Sequence, residues 1–241
     1  MVNQFNRTEL LLGKDNMDKL KKAHVIVFGV GGVGGYVIEA LARSGIYHFT
    51  LVDNDVVSET NINRQIIATY DTLGEYKVEV MKKRILSINP NAVVETRKCF
   101  YLPETANEFD FKLYDYVVDC VDTVSAKLSI IIEAKKNNVP VISAMGAGNK
   151  MNPTMLEVSD ISKTSVDPLA KVIRTELRKR GIHHLKVIYS KEQPIKNYLD
   201  NPDIELKEKS QRPVPGSNAF LPSAMGLIMA SEIIKDLISK N

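Results

Sequence analysis

The stretch VIVFGVGGVGG, residues 25–35, constrains the fold more than any other part of the chain. Val25, Ile26, Val27 and Phe28 form a short apolar run of the kind that a doubly covered strand requires. Five glycines then follow within seven positions, and the helix-forming segment GGYVIEALARSG begins with the last two of them. Strand, glycine turn and helix together open a βαβ unit. Glycines let the backbone turn sharply and approach a ligand closely, and the helix start offers unpaired N–H groups and its dipole to phosphate. Gly29, Gly31 and Gly34 fit the spacing G-x-G-x-x-G, which suits NAD and ATP equally well.

The rest of the chain repeats this alternation. Strand-like runs occur at 24–29, 48–53, 92–97, 115–120, 140–144 and 155–160, with helix-length segments between them. In KVEVMKKRILSIN, residues Val78, Met81, Ile85 and Ile88 recur at helical spacing with the charges opposite. The expected fold is α/β: a Rossmann-like, mostly parallel central sheet covered by helices on both faces, with a helical and loop embellishment in the C-terminal half. All 241 residues read as one domain, with 1–150 as nucleotide-binding core and 151–216 as a substrate-facing region. Residues 217–241 carry a C-terminal helix, expected at 221–239, that returns to the core. Residues 190–216, with four prolines and many charges, read as a loop crossing near the site. Ligands of such sheets bind beyond the carboxyl ends of the strands. That places the site among 29–35, 53–65, 120–127 and 144–150.

Asp53 ends the second strand, where a carboxylate can accept hydrogen bonds from a ribose. Asp55 follows, then Asn61, Arg64 and Gln65 in the pattern N-x-x-R-Q, and Lys77 opens the next helix. A hydride-transferring site has no need of cations there, whereas departing pyrophosphate carries charge that Arg64 and Lys77 can neutralise. Asp122, in DCVDT, stands where a carboxylate can hold magnesium against phosphate oxygens. Each has an alternative: Arg64 and Lys77 as solvated surface charges, Asp122 as a helix N-cap.

GVGGVGG, LVDNDVVSETNINRQ, LGEYK and DCVDT, in this order, resemble the ATP-dependent adenylating family that includes ThiF, MoeB, HesA and the ubiquitin-activating enzymes. The resemblance covers roughly residues 5–150 and implies that a carboxylate attacks the α-phosphate of ATP with loss of pyrophosphate. Position by position it implies that Gly29, Gly31, Gly32 and Gly34 line the phosphates and that Asp53 binds the ribose. Asn61, Arg64, Gln65 and Lys77 would surround the triphosphate beside Asp55, and Asp122 would hold Mg2+. It also implies a homodimer in which Arg7, from FNRTELLLG, enters the partner's site. The alternative for Arg7 is a surface residue on a short helix.

GAGNKMNPT, VSDISKTSVDPLAK and GSNAFLPSAMGLIMASEIIKD more closely resemble the branch that dehydrates threonylcarbamoyladenosine in tRNA. That branch activates the threonyl carboxylate by adenylation before ring closure, so tRNA is the implied partner. The alternative is adenylation of a ubiquitin-like sulfur carrier ending in Gly-Gly, and a sulfur-transfer accessory protein is a further conceivable partner. No paired C-x-x-C zinc motif is present, and the two cysteines, Cys99 and Cys120, lie far apart. Cys120 ends an apolar strand, where an inert thiol is the ordinary expectation.

Lys171, Arg174 and Arg178 fall at i, i+3 and i+7, and Lys179 and Arg180 extend the charge, so one helical face can meet a phosphate backbone. The same residues also read as a solvated helix with cations near its C-terminus. Net charge is +3, which permits a nucleic-acid partner without requiring one. The most apolar stretch, 219–238, contains Glu232, Lys235 and Asp236 and reads as a buried helix rather than a membrane span. The cysteine usage and the absence of a secretory signal point to the cytoplasm.

Overall fold

The alternation of strand and helix produces a seven-stranded sheet. In the computed structural model, residues 3–196 and 215–239 are described. The strands are β1 (His24–Phe28), β2 (His48–Val52), β3 (Val93–Arg97), β4 (Tyr116–Asp119), β5 (Val141–Ala144), β6 (Leu156–Asp160) and β7 (Lys186–Ser190). The helices are α1 (Asn6–Leu12), α2 (Lys14–Lys22), α3 (Gly34–Arg43), α4 (Lys77–Ile88), α5 (Val124–Lys136), α6 (Pro168–Lys179) and α7 (Leu221–Ser239). The order across the sheet is β3-β2-β1-β4-β5-β7-β6, and every pairing is parallel except that of β6 with β7.

Two-residue periodicity distributes the strands between two cores. Val25 and Val27 of β1 face one, with Val37 and Leu41 of α3 and Met229 and Ile233 of α7. Ile26 and Phe28 face the other, with Ile130 and Ile131 of α5 and Ile173 and Leu177 of α6. Both faces are therefore dry, which explains why the central strands read as unbroken apolar runs. The edge strand β3 instead carries Glu95 and Arg97, ion-paired at 2.6 Å, which discourages further pairing.

Two features depart from the sequence reading. Strand β7 went unrecognised between the basic helix and the crossing loop, yet it sits inside the sheet with four of its five residues buried. The run at 155–160 becomes β6, but as the antiparallel edge and not another parallel strand. Of the stretch 190–216, residues 197–214 lie outside the described residues. Among the described residues no helix is long and apolar enough to cross a membrane.

Candidate active site

The strand order reverses between β1 and β4, and a cleft of about 450 Å³ opens beyond their carboxyl ends. Its floor is the glycine loop. Gly29 has φ +90°, and a Cβ there would lie 2.8 Å from the carbonyl oxygen of Cys120. The Gly29 N–H donates to the Val52 carbonyl at 2.9 Å, and the Val30 N–H to Asp53 Oδ2 at 2.7 Å. The loop is thus laced to β2. Gly31 is different, since the nearest atom to a Cβ built on it is Gln65 Nε2 at 3.8 Å. Among the described residues, the N–H groups of Gly31, Gly32 and Val33 have no acceptor. Three free donors at a helix start form a cradle for an anion.

Gly34, expected to line the phosphates, packs behind the cradle, although its N–H likewise has no acceptor among the described residues. It is buried and absent from the cleft wall, and a Cβ there would fall 1.9 Å from the Gly29 carbonyl oxygen. Its missing side chain lets the loop fold onto itself. Gly29, Gly31 and Gly32 do line the cleft.

Asp53 accepts from Val30 N–H through one oxygen and from Asp55 N–H at 2.8 Å through the other. Burial raises its pKa above the ordinary carboxylate value, although Lys77 and the two N–H groups oppose that shift. Lys77 is buried and donates to the exposed carboxylate of Asp55 at 2.7 Å. The spacing of N-x-x-R-Q has a local cause. The Asn61 carbonyl accepts from both Arg64 N–H (3.1 Å) and Gln65 N–H (2.9 Å), while Asn61 Oδ1 accepts from Ser58 N–H at 3.1 Å. Asn61 therefore shapes the turn that presents Arg64 and Gln65 to the cleft. Arg64 donates to the Thr60 carbonyl at 2.8 Å and to Asn63 Oδ1 at 2.9 Å. Gln65 is buried, and its Oε1 has no hydrogen-bond partner among the described residues. A buried acceptor without a donor costs about 1–3 kcal/mol, a penalty that a ligand hydroxyl or amine would remove.

Asp122 is exposed, lines the same cleft after the end of β4, and accepts no hydrogen bond among the described residues. It does not cap α5, whose N-cap is Thr123. No cluster of three His, Cys, Asp or Glu suited to a metal occurs among the described residues. One unpartnered carboxylate in the same cleft as a phosphate cradle fits magnesium carried largely by phosphate oxygens and water. Cys99 and Cys120 also line the cleft, and burial pushes both thiols above their ordinary pKa, so neither is activated as a thiolate.

Other candidates lie elsewhere. Arg7 is exposed on α1 and does not line the cleft of its own chain. On α6, Arg174 is tied to the carbonyl (2.9 Å) and hydroxyl of Thr164. Lys179 and Arg180 pair with Glu176 at 2.6 and 2.7 Å. Three of the five cations thus have acceptors within their own protein, and of these Arg174 is the one drawn out of the exposed set. Lys171, Arg178, Lys179 and Arg180 are exposed, and Lys179 and Arg180 share Glu176 at the surface.

Sequence reasoning misses a buried pair beneath the cleft. Lys127 Nζ donates to Asp119 Oδ2 at 2.7 Å and to the Ala144 carbonyl at 2.9 Å, and Ser143 Oγ also donates to Asp119. These groups join the ends of β4 and β5. The available signal was Lys127 itself, three residues after Val124 and four before Ile131, on the apolar side of α5.

A family model described as the ThiF family matches residues 5–241. The tRNA threonylcarbamoyladenosine dehydratase of Bacillus subtilis is 46% identical over 99% of this chain and 96% of its own length. That of Escherichia coli is 32% identical over 98% of this chain and 94% of its own. The crystal structure of the E. coli protein TcdA in complex with ATP superposes with a TM-score of 0.87 at 33% identity, covering 98% of this chain and 94% of that one. Its complex with AMP gives 0.88 at 32% identity over the same shares of the two chains.

Proposed function

The chain belongs to the ThiF family, and from that premise we propose that it is an ATP-dependent dehydratase of threonylcarbamoyladenosine in tRNA. The observation that carries the reading is the convergence in one cleft of three unpartnered loop N–H groups, Asp53, Arg64, Lys77, the orphaned Gln65 and Asp122. The threonyl carboxylate attacks the α-phosphate of ATP, pyrophosphate leaves, and an acyl-adenylate forms. An atom of the same modified nucleoside then attacks the activated carbonyl, the ring closes and AMP departs.

The amides of Gly31, Gly32 and Val33 hold phosphate oxygens, and Asp53 accepts from the ribose hydroxyls. Lys77, now shared with Asp55, and Arg64 take up charge that develops on the leaving pyrophosphate. Asp122 would hold Mg2+, which supplies further neutralisation of that charge when bound. Lys171 and Arg178, exposed and without an ion pair among the described residues, lead the α6 cations open to the tRNA backbone, with Lys179 and Arg180 beside them. A homodimer is part of the reading, with Arg7 entering the partner's cleft. Its support is that Leu10 and Leu11 beside Arg7 are 89% and 82% exposed on α1, an apolar pair that a second copy would cover. A sulfur-transfer accessory protein gains no support from any feature of the site, and a cytoplasmic setting agrees with a tRNA substrate.

The test is nucleoside mass analysis of tRNA incubated with the protein, ATP and magnesium. Loss of one water from the modified adenosine is expected. Unchanged nucleoside, with AMP formed only when a carrier protein ending in Gly-Gly is added, would replace this reading with carrier adenylation.

A further inference from the structure

The distal motifs GAGNKMNPT, VSDISKTSVDPLAK and GSNAFLPSAMG, remote in sequence, meet in one polar knot beside the cleft. The buried Lys150 ammonium donates to Asp167 Oδ2 at 2.5 Å and to the Gly146 carbonyl at 2.8 Å. Asp167 Oδ1 in turn accepts from Ala170 N–H at 2.9 Å, capping α6. Asn149 then joins the first motif to the third, 67 positions away. Its Oδ1 accepts from Gly216 N–H at 2.6 Å, its own N–H donates to the Gly216 carbonyl at 2.8 Å, and its carbonyl accepts from Ile195 N–H at 2.7 Å. Asn218 Nδ2 donates to the Lys150 carbonyl at 2.7 Å, and Asn63 Nδ2, next to Arg64, donates to the Ser217 carbonyl at 3.1 Å.

Asn149 sits at φ +57°, a conformation that Asn adopts more readily than other residues bearing a side chain. One residue thus provides both the left-handed turn and the acceptor. The segment it fixes is a wall of the cleft: Pro215, Ser217 and Pro222 line the cavity. That wall reaches from Gly148, whose Cβ would lie 2.7 Å from Pro215 Cβ, to Gly32, whose Cβ would lie 3.3 Å from Pro222 Cβ. It therefore spans the gap between the phosphate cradle and the end of β5, on the side of the cleft away from Asp53 and the β2 end.

We propose that Asn149 is a positioning residue for the tRNA-borne carboxylate, acting by fixing residues 215–218 as the acceptor wall. This rests on the dehydratase reading above. The nucleotide half of the cleft has its own anchors at the ends of β1 and β2, Gly29 N–H on the Val52 carbonyl and Val30 N–H on Asp53. The wall meets it at Asn63 and Gly32, beyond the Gly216 end that Asn149 holds. Loss of the Asn149 acceptor should therefore fall on the tRNA substrate and spare ATP.

Three variants test it. Asn149→Gly keeps the left-handed turn and removes the acceptor, Asn149→Asp keeps both, and Gly148→Ala pushes on Pro215 from the other side. Asn149→Gly should raise KM for tRNA about tenfold, the loss of one well-placed hydrogen bond, and leave the ATP Kd within about twofold of wild type. Gly148→Ala should raise the same KM, and Asn149→Asp should return it close to wild type. Amide exchange read by mass spectrometry over residues 215–222 should quicken in Asn149→Gly and recover in Asn149→Asp.

An unchanged KM for tRNA, a loss falling on ATP, or no rescue by aspartate would overturn the proposal. Should the wild-type protein fail to dehydrate tRNA, the functional reading falls and the exchange measurement alone decides the wall. Equal exchange in wild type and Asn149→Gly then overturns the assignment, and faster exchange rescued by Asn149→Asp sustains it.

Discussion

Two glycines three positions apart should respond in opposite ways to the same methyl group. At Gly31 a Cβ meets nothing closer than Gln65 Nε2 at 3.8 Å, and the backbone lies outside the left-handed region. Gly31→Ala should therefore fold normally, and the restricted unfolded chain should add about 0.4–1 kcal/mol of stability. For a chain of this size that is a rise in Tm of about 1–4 °C. The methyl would stand on the floor of the cleft, over the N–H groups of Gly31 and Gly32. Losing two charge-assisted hydrogen bonds costs at least about 3 kcal/mol, so ATP affinity should fall about a hundredfold or more. At Gly34 the Cβ falls 1.9 Å from the Gly29 carbonyl oxygen, about 1.5 Å short of where ordinary contact begins at 3.4 Å. Backbone must move, so Gly34→Ala should lose about 3 kcal/mol or more, lowering Tm by at least about 6 °C. Thermal melts and calorimetric ATP titrations separate the two. Wild-type ATP affinity in Gly31→Ala, or a wild-type melt in Gly34→Ala, would refute the division of labour within the loop.

Asp122→Asn should bind ATP nearly as well as wild type but lose about 10²- to 10³-fold in kcat, as expected for a group acting on transition-state charge; unchanged kcat removes it from the mechanism. Burial disfavours the charged form of Glu39, but hydrogen bonds from Arg84 (2.6 Å) and Arg43 (2.7 Å) outweigh it and hold its pKa below the ordinary 4.5. A depressed carboxylate stabilises the fold above its unfolded pKa and loses that contribution as pH falls through the folded value. Glu39→Gln should therefore cost about 1–3 kcal/mol at pH 7, and the gap from wild type should close below pH 4.5 in denaturant titrations; a pH-independent gap would contradict the assignment. Lys171→Glu with Arg178→Glu should weaken tRNA binding and flatten its salt dependence, whereas Arg174→Glu should chiefly lower Tm through loss of its bonds to Thr164. Arg7→Ala mixed with Arg64→Ala should recover part of the wild-type activity if sites are shared between protomers, and mixed dimers as inactive as their parents would count against the shared site.

Legibility in the sequence followed from how local the cause was. The central strands and α4 were visible because burial on both faces or on one helical stripe leaves a periodic trace. The phosphate loop and N-x-x-R-Q were visible because each is closed within a few residues, as the two amides bonded to the Asn61 carbonyl show. Strand β7 was hidden because five residues between a basic helix and a proline-rich stretch carry too little pattern, and only its neighbours β5 and β6 make it a strand. The packing role of Gly34 was hidden because it depends on the distance to Gly29, which spacing alone does not supply. Arg174's partner was hidden for a similar reason: periodicity placed it on the basic face, and Thr164, ten positions away, holds its guanidinium. Lys127–Asp119, Lys150–Asp167 and Asn149–Gly216 are tertiary pairs, invisible until β4, β5 and the entry to α7 are brought together.

The central claim is that the cleft directs a carboxylate oxygen onto the α-phosphate, and isotope transfer tests it most directly. With tRNA carrying heavy oxygen in the threonyl carboxylate of its modified adenosine, one labelled oxygen should leave with AMP as the ring closes, alongside unlabelled pyrophosphate. Unlabelled AMP, or label recovered in inorganic phosphate with ADP as co-product, would mean that the carboxylate is activated elsewhere on the nucleotide and would contradict the account.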